Sequence, residues 1–157
     1  MTVDKMGDEF LVNTTMESSQ EDPSVTWLSD GGFVTTWEDN SQTGEDTSST
    51  AIRGQAYNAD GTAQGDEFLV NTTTESQQFT SNVAGLSDGG FVTTWRDNSQ
   101  IENTGGVIRG QAYDADGTTR GEEFLVNTTT ESGQFTPSVT GLSEGGFVAT
   151  WSDSSQT

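Results

Sequence analysis

The chain contains no cysteine and no histidine. Without cysteine no disulfide staples the fold, and thiol catalysis and thiolate metal sites are excluded. Without histidine it lacks the commonest general base and the commonest transition-metal ligand. Five basic residues, of which Lys5 is the single lysine, face 25 acidic ones, giving a net charge of −20. Such a surface repels nucleic-acid phosphates and anionic membranes, and leaves cations, basic proteins and neutral sugars as partners. No run reaches the roughly 18 apolar residues of a membrane span, so membrane insertion is not expected. No segment carries a helical period. The opening residues, Met1 to Met6, lack the basic-then-apolar plan of a secretory signal. That leaves either a cytosolic chain or a piece of a longer protein exported by a signal elsewhere.

Apolar residues are also scarce, at 29%, a level that with this charge would point to disorder. Against that stand eight Phe, four Trp and two Tyr at fixed intervals. Regularly spaced aromatics are what a thin core between β-sheets needs, so the chain is expected to fold.

The intervals come from an internal repeat, which governs the whole reading. Gly7-Asp-Glu-Phe-Leu-Val-Asn-Thr-Thr recurs from Gly65 and, with Glu122, from Gly121. Leu28-Ser-Asp-Gly-Gly-Phe-Val-Thr-Thr-Trp recurs from Leu86 and, with Glu144 and Ala149, from Leu142. Ile52-Arg-Gly-Gln-Ala-Tyr-Asn-Ala-Asp-Gly-Thr recurs from Ile108 with Asp114 in place of Asn58. Phe10 to Trp37, Phe68 to Trp95 and Phe124 to Trp151 are each 27 residues, and Tyr57 to Phe68 and Tyr113 to Phe124 are each 11. Only Trp to Tyr varies, 20 residues in one copy and 18 in the next. All length variation therefore falls in residues 39–50 and their counterpart 97–105, expected to be an exposed, insertion-tolerant loop. The units run approximately 7–64, 65–120 and 121–157, the last one shortened.

Each unit is expected to form four strands, illustrated by residues 81–86, 91–95, 107–113 and 124–128. An Asp-Gly turn joins the first two, a strong hairpin signal. Alternation along the third places Ile108, Gly110 and Ala112 on one face and Arg109, Gln111 and Tyr113 on the other. With a lone fourth-type strand at residues 10–14, the chain counts 11 strands. A four-stranded meander recurring at this period, with one longer crossover per unit, predicts an all-β, β-propeller-like array of antiparallel blades. A β-trefoil is the alternative, with a sandwich or solenoid behind it. Three incomplete blades do not close a ring. The partners expected are therefore further repeats of a longer parent chain, or a second copy making a homodimer with a six-bladed ring.

The elements Phe124–Asn127, Pro137–Trp151 and Ile108–Thr118 together resemble a tandem repeat of very large bacterial secreted and surface proteins. Those proteins often also carry haemolysin-type calcium-binding or cadherin-like modules. The resemblance spans essentially the whole chain. It implies an extracellular or cell-surface bacterial protein with a propeller-like β-repeat, and it supplies no catalytic residues.

Two residue sets are candidates for binding. Asn58 and Asp60, repeated as Asp114 and Asp116, place two oxygen side chains at i and i+2 before a Gly, which is how a Ca²⁺ loop begins. The competing account is a hairpin turn in which Asp caps its own backbone. Trp37, Trp95 and Trp151 recur once per unit, where a propeller lectin would stack a glycan, and where an inter-blade core would equally place an aromatic. Trp27, whose counterparts are Gly85 and Gly141, is expected to be a local packing substitution. Asn13, Asn71 and Asn127, each in Asn-Thr-Thr, are expected to make a side-chain to backbone bond at the crossover. The acids lie in turns and repeat with the units, whereas a single active site breaks symmetry, so the expected function is a non-enzymatic structural or adhesive module. A lectin-like glycan binder is the alternative.

Overall fold

A computed structural model describes residues 7–99 and 105–155. It is all-β, with no helix among the described residues. Strands β1 (Gln20–Trp27), β2 (Phe33–Asp39), β3 (Ala51–Tyr57) and β4 (Ala63–Leu69) form the first sheet. Strands β5 (Gln78–Gly85), β6 (Phe91–Asp97), β7 (Val107–Tyr113) and β8 (Thr119–Leu125) form the second, and β9 (Gln134–Gly141) and β10 (Phe147–Asp153) the third. Every pairing is antiparallel and in chain order, so each sheet is a meander, and none closes into a barrel.

The turns follow from their residues. Between β1 and β2 the Leu28 and Gly32 backbones bond at 2.8 Å, and Asp30 Oδ1 accepts the Gly32 N–H at 2.9 Å. Gly31 sits at φ 92°, where a Cβ would be strained. A less ordinary feature recurs on the first strand of every sheet. Asp22, Thr80 and Thr136 occupy equivalent positions with φ of 46°, 52° and 46°. In each sheet the register slips there, so a bulge bends the strand.

The sheets stack face to face. Pairing of β2 with β3 sets Val34, Thr36, Ile52 and Gly54 on one face, here called the front, and Phe33, Trp37, Arg53 and Tyr57 on the rear. The front of the first sheet packs on the rear of the second, joining Val34 and Ile52 to Val83, Phe91, Trp95 and Tyr113. The front of the second packs on the rear of the third, joining Ala84 and Val92 to Val139, Phe147 and Ala149. These two seams are the hydrophobic core, which is how so few apolar residues suffice.

Three expectations need correction. Residues 10–14 are not a strand; they cross the rear of the first sheet, so the chain has ten strands among its described residues rather than 11. The fourth strand of the second unit is Thr119–Leu125, not residues 124–128, because Asn127 ends it: after Val126 N bonds Ile108 O, the Asn127 side chain accepts the Ile108 N–H at 2.7 Å in place of a backbone carbonyl. As in the expected strands, each four-stranded sheet crosses a unit boundary, that at Gly65 falling inside β4. The 39–50 segment is not simply exposed either, since Asp46 is buried, accepting from Ser48 N–H at 3.0 Å and Asn71 Nδ2 at 3.0 Å. Most of its counterpart, residues 100–104, lies outside the described residues.

Candidate functional site

The most elaborate chemistry in the molecule lies at the junctions between sheets. From the last residues of β4 the chain runs on as a strap, residues 68–73, over the rear of the second sheet. Phe68 meets the rings of Phe91 and Tyr113 at 6.3 and 5.5 Å, and those two stack on each other at 4.8 Å. The Tyr113 hydroxyl donates to Val70 O at 2.8 Å. One Glu123 oxygen accepts from Thr72 N–H and Oγ1, both at 2.8 Å, and the other from Thr73 Oγ1 at 3.1 Å. Arg109 holds Glu123 in place at 3.0 Å and reaches Asp97 at 2.5 Å. Burial raises the Tyr113 hydroxyl pKa, with Glu123 adding to it, so the phenol stays a donor.

The N-terminal segment makes the same set one unit earlier. Phe10 lies against Phe33 and Tyr57, and Tyr57 donates to Val12 O at 3.0 Å. Thr14 N–H and Oγ1 donate to Glu67 at 2.9 and 2.7 Å. Arg53 pairs with Glu67 at 3.4 Å and with Asp39. Burial pushes the Asp39 carboxyl up, but hydrogen bonds from Gln20, Ser41 and Arg53 outweigh it and hold the group below the ordinary range. The Asn expectation holds as well: Asn71 accepts from Ile52 N–H at 2.8 Å and donates to Thr73 O at 2.9 Å, and Asn127 repeats both contacts.

The first strands of adjacent sheets are tied without forming a common ladder. Ser24 Oγ accepts from Val83 N–H at 3.2 Å and Thr26 Oγ1 from Gly85 N–H at 3.1 Å. Asn82 Oδ1 accepts from Val139 N–H at 2.8 Å in the next seam. Where Glu38 accepts from Thr80 N–H at 2.5 Å, its counterpart Arg96 instead lies over the Phe135 ring at 4.2 Å.

No family model, curated protein or solved structure matches the chain. What its residues can bind is therefore argued from their geometry alone.

In the Asn58–Thr62 turn, Asp60 Oδ1 accepts from Thr62 N–H at 3.0 Å and from its hydroxyl at 2.6 Å, and these bonds hold its carboxyl below the usual range. Asp116 accepts from Thr118 N–H at 2.9 Å with the same effect. Asn58 Nδ2 donates to Thr62 Oγ1 at 3.0 Å, and Asp114 accepts from Arg120 at 2.5 Å. Each candidate calcium ligand is thus already engaged by a protein partner, and among the described residues no three acidic side chains converge as a metal cluster. An ion here would draw its remaining oxygens from water and backbone.

The three recurring Trp residues sit on rear faces. Trp95 is wholly buried and Trp37 nearly so, its Nε1 donating to Gln20 Oε1 at 2.9 Å, so neither offers a ring face to a sugar; Trp151 is half-buried. The exposed indole is Trp27, at 74% exposure. It is not packed away as a local substitution. It stands at the rim of an open cavity of about 480 Å³ between the ends of β1, β5 and β9, with Ser29, Ser87, Thr140 and Ser143 also lining it. Only its mismatch with two glycines marked it in the sequence.

Proposed function

We propose that the chain is a non-enzymatic structural or adhesive module of a bacterial surface or secreted protein, built as a propeller-like array of blades. One observation carries the reading: the same latch of Phe, Tyr and Glu joins each strap to the sheet after it, at Tyr57–Val12 and again at Tyr113–Val70. Glu67 and Glu123 are engaged there with Arg53 and Arg109, which Asp39 and Asp97 hold from the other side, an arrangement that suits a structural repeat better than a catalytic pair. Support for the blade arrangement comes from the chain-order meanders and the side-by-side first strands β1, β5 and β9. A lysine-poor surface of charge −20 suits a secreted, salt-exposed protein. The partners that fit best are further repeats of a parent chain.

A second reading, a weak glycan binder, is favoured by the Trp27 cavity, where an exposed indole stands beside hydroxyl groups as sugar stacking requires. Screening the chain against an oligosaccharide array, with assay for hydrolysis, tests both. The module reading expects no saturable binding and no turnover. Saturable binding lost in Trp27→Ala without loss of fold replaces it with the glycan reading, and hydrolysis at enzymatic rates overturns both.

A further inference from the structure

We infer that Trp27 is a stop: it prevents a second copy of this chain from docking on the rear of the first sheet, so that the array extends from one end only. The argument starts from what the two existing seams demand at this position. A Cβ built on Gly85 would lie 2.5 Å from the carbonyl oxygen of Trp27, and one on Gly141 would lie closer still to the carbonyl oxygen of Gly85. Both obstacles are backbone, which cannot swing aside as a side chain can. Each seam therefore closes only because the residue at the end of the incoming first strand has no side chain.

Trp27 occupies that position on the first sheet. Its register partner is Phe33, as Gly85 pairs with Phe91 and Gly141 with Phe147. On the rear of the first sheet, the apolar and latch groups that a preceding sheet would meet are present, although Glu21 stands where Phe79 and Phe135 do. Val25 matches Val83 and Val139, Phe33 matches Phe91 and Phe147, and the strap latch around Tyr57 is assembled. The front of the third sheet has no counterpart of β3 among the described residues, but its two strands offer the same groups. Ser138 and Thr140 stand exposed where Ser24 and Thr26 accept backbone N–H groups in the first seam, and Val148 is exposed where Val34 and Val92 are buried. A second copy would bring this front onto the rear of the first sheet in the register already seen twice. The Trp27 Cβ would then meet the carbonyl of residue 141, as any Cβ at 85 would meet that of residue 27. The homodimer expected from the sequence, closing a six-unit ring through equivalent seams, is blocked by one carbon atom. A further repeat ending its first strand in Gly is not.

The stop rests on reading the chain as an array module, and its test is separate from the glycan and hydrolysis screens. Solution mass by light scattering at high micromolar concentration is compared for the native chain, Trp27→Gly and Trp27→Ala. The native chain and Trp27→Ala are expected at the mass of one chain, because alanine keeps the Cβ. Trp27→Gly is expected at two chains or more. A native chain already at twice its mass, Trp27→Gly remaining at one chain, or Trp27→Ala associating like Trp27→Gly would each overturn the stop. Gly85→Ala applies the same clash inside the molecule and serves if Trp27→Gly folds poorly. It is expected to lower Tm clearly, and an unchanged Tm refutes the steric premise.

Discussion

Replacing Tyr113 with Phe removes one hydroxyl and leaves the ring, so it isolates the hydrogen bond from the packing. The ring stack on Phe91 at 4.8 Å and the contact with Phe68 at 5.5 Å have no need of the oxygen. The Val70 carbonyl loses its 2.8 Å donor while Val70 stays 1% exposed, so water does not readily replace the phenol. A buried acceptor losing its partner costs about 1–2 kcal/mol. For a chain of this length each kcal/mol moves Tm by about 2–4 °C, so a fall of about 2–8 °C is expected. Tyr57→Phe is the internal control. Its hydroxyl donates to Val12 O at 3.0 Å, but Val12 is half-exposed and water can take the place of the phenol. The fall there should be at most about half as large. Thermal melts followed by far-UV circular dichroism, with urea midpoints at unchanged m-value, measure both. Equal shifts at the two sites, or none at Tyr113, would refute the view that burial of the strap carbonyl sets the strength of the latch.

Glu38 predicts a pH effect. Burial raises its pKa, with Asp22 adding to the rise and the Thr80 N–H opposing it. Its contribution is therefore fully present below the ordinary Glu pKa and lost as pH rises through the raised value. Glu38→Gln keeps an acceptor for Thr80, so it should raise Tm at pH 7 and lose that advantage towards pH 4; a destabilised variant at pH 7 would count against burial as the dominant cause. The net charge of −20 predicts a salt effect too. Raising NaCl from about 0.05 M to about 0.5 M shortens the screening length from roughly 14 Å to roughly 4 Å, relieves self-repulsion and should raise Tm. A Tm that falls monotonically over that range would show that the attractive pairs at Arg53 and Arg109 dominate instead.

Much of the architecture was legible because strands write themselves with period two. The alternation of Ile108, Gly110 and Ala112 against Arg109, Gln111 and Tyr113 is the division between front and rear faces. The positions of the two hairpin turns in each full unit were equally clear from Asp-Gly pairs. Strand ends were not, because Asn127 terminates β8 with its side chain, and nothing in Val-Asn-Thr distinguishes that from a continuing strand. The latch was hidden for a different reason. Glu123 and Thr72 lie 51 residues apart, and no local rule links a carboxylate to a strap in the preceding unit. Recurrence of both was the available signal. Trp27 stood out as an exception to the repeat, but the meaning of the exception depends on a carbonyl supplied by a neighbouring sheet.

The strap has a consequence for the order in which the molecule assembles. Val70 and Thr72 precede Tyr113 and Glu123 in the chain, as Val12 and Thr14 precede Tyr57 and Glu67. A chain leaving the ribosome therefore presents each cover before the surface it covers. Every new sheet, as its third and fourth strands emerge, finds a tether already waiting from the unit behind it. Its aromatic rear need never wait uncovered for residues still to be made, and the growing end is sealed from upstream, one unit at a time.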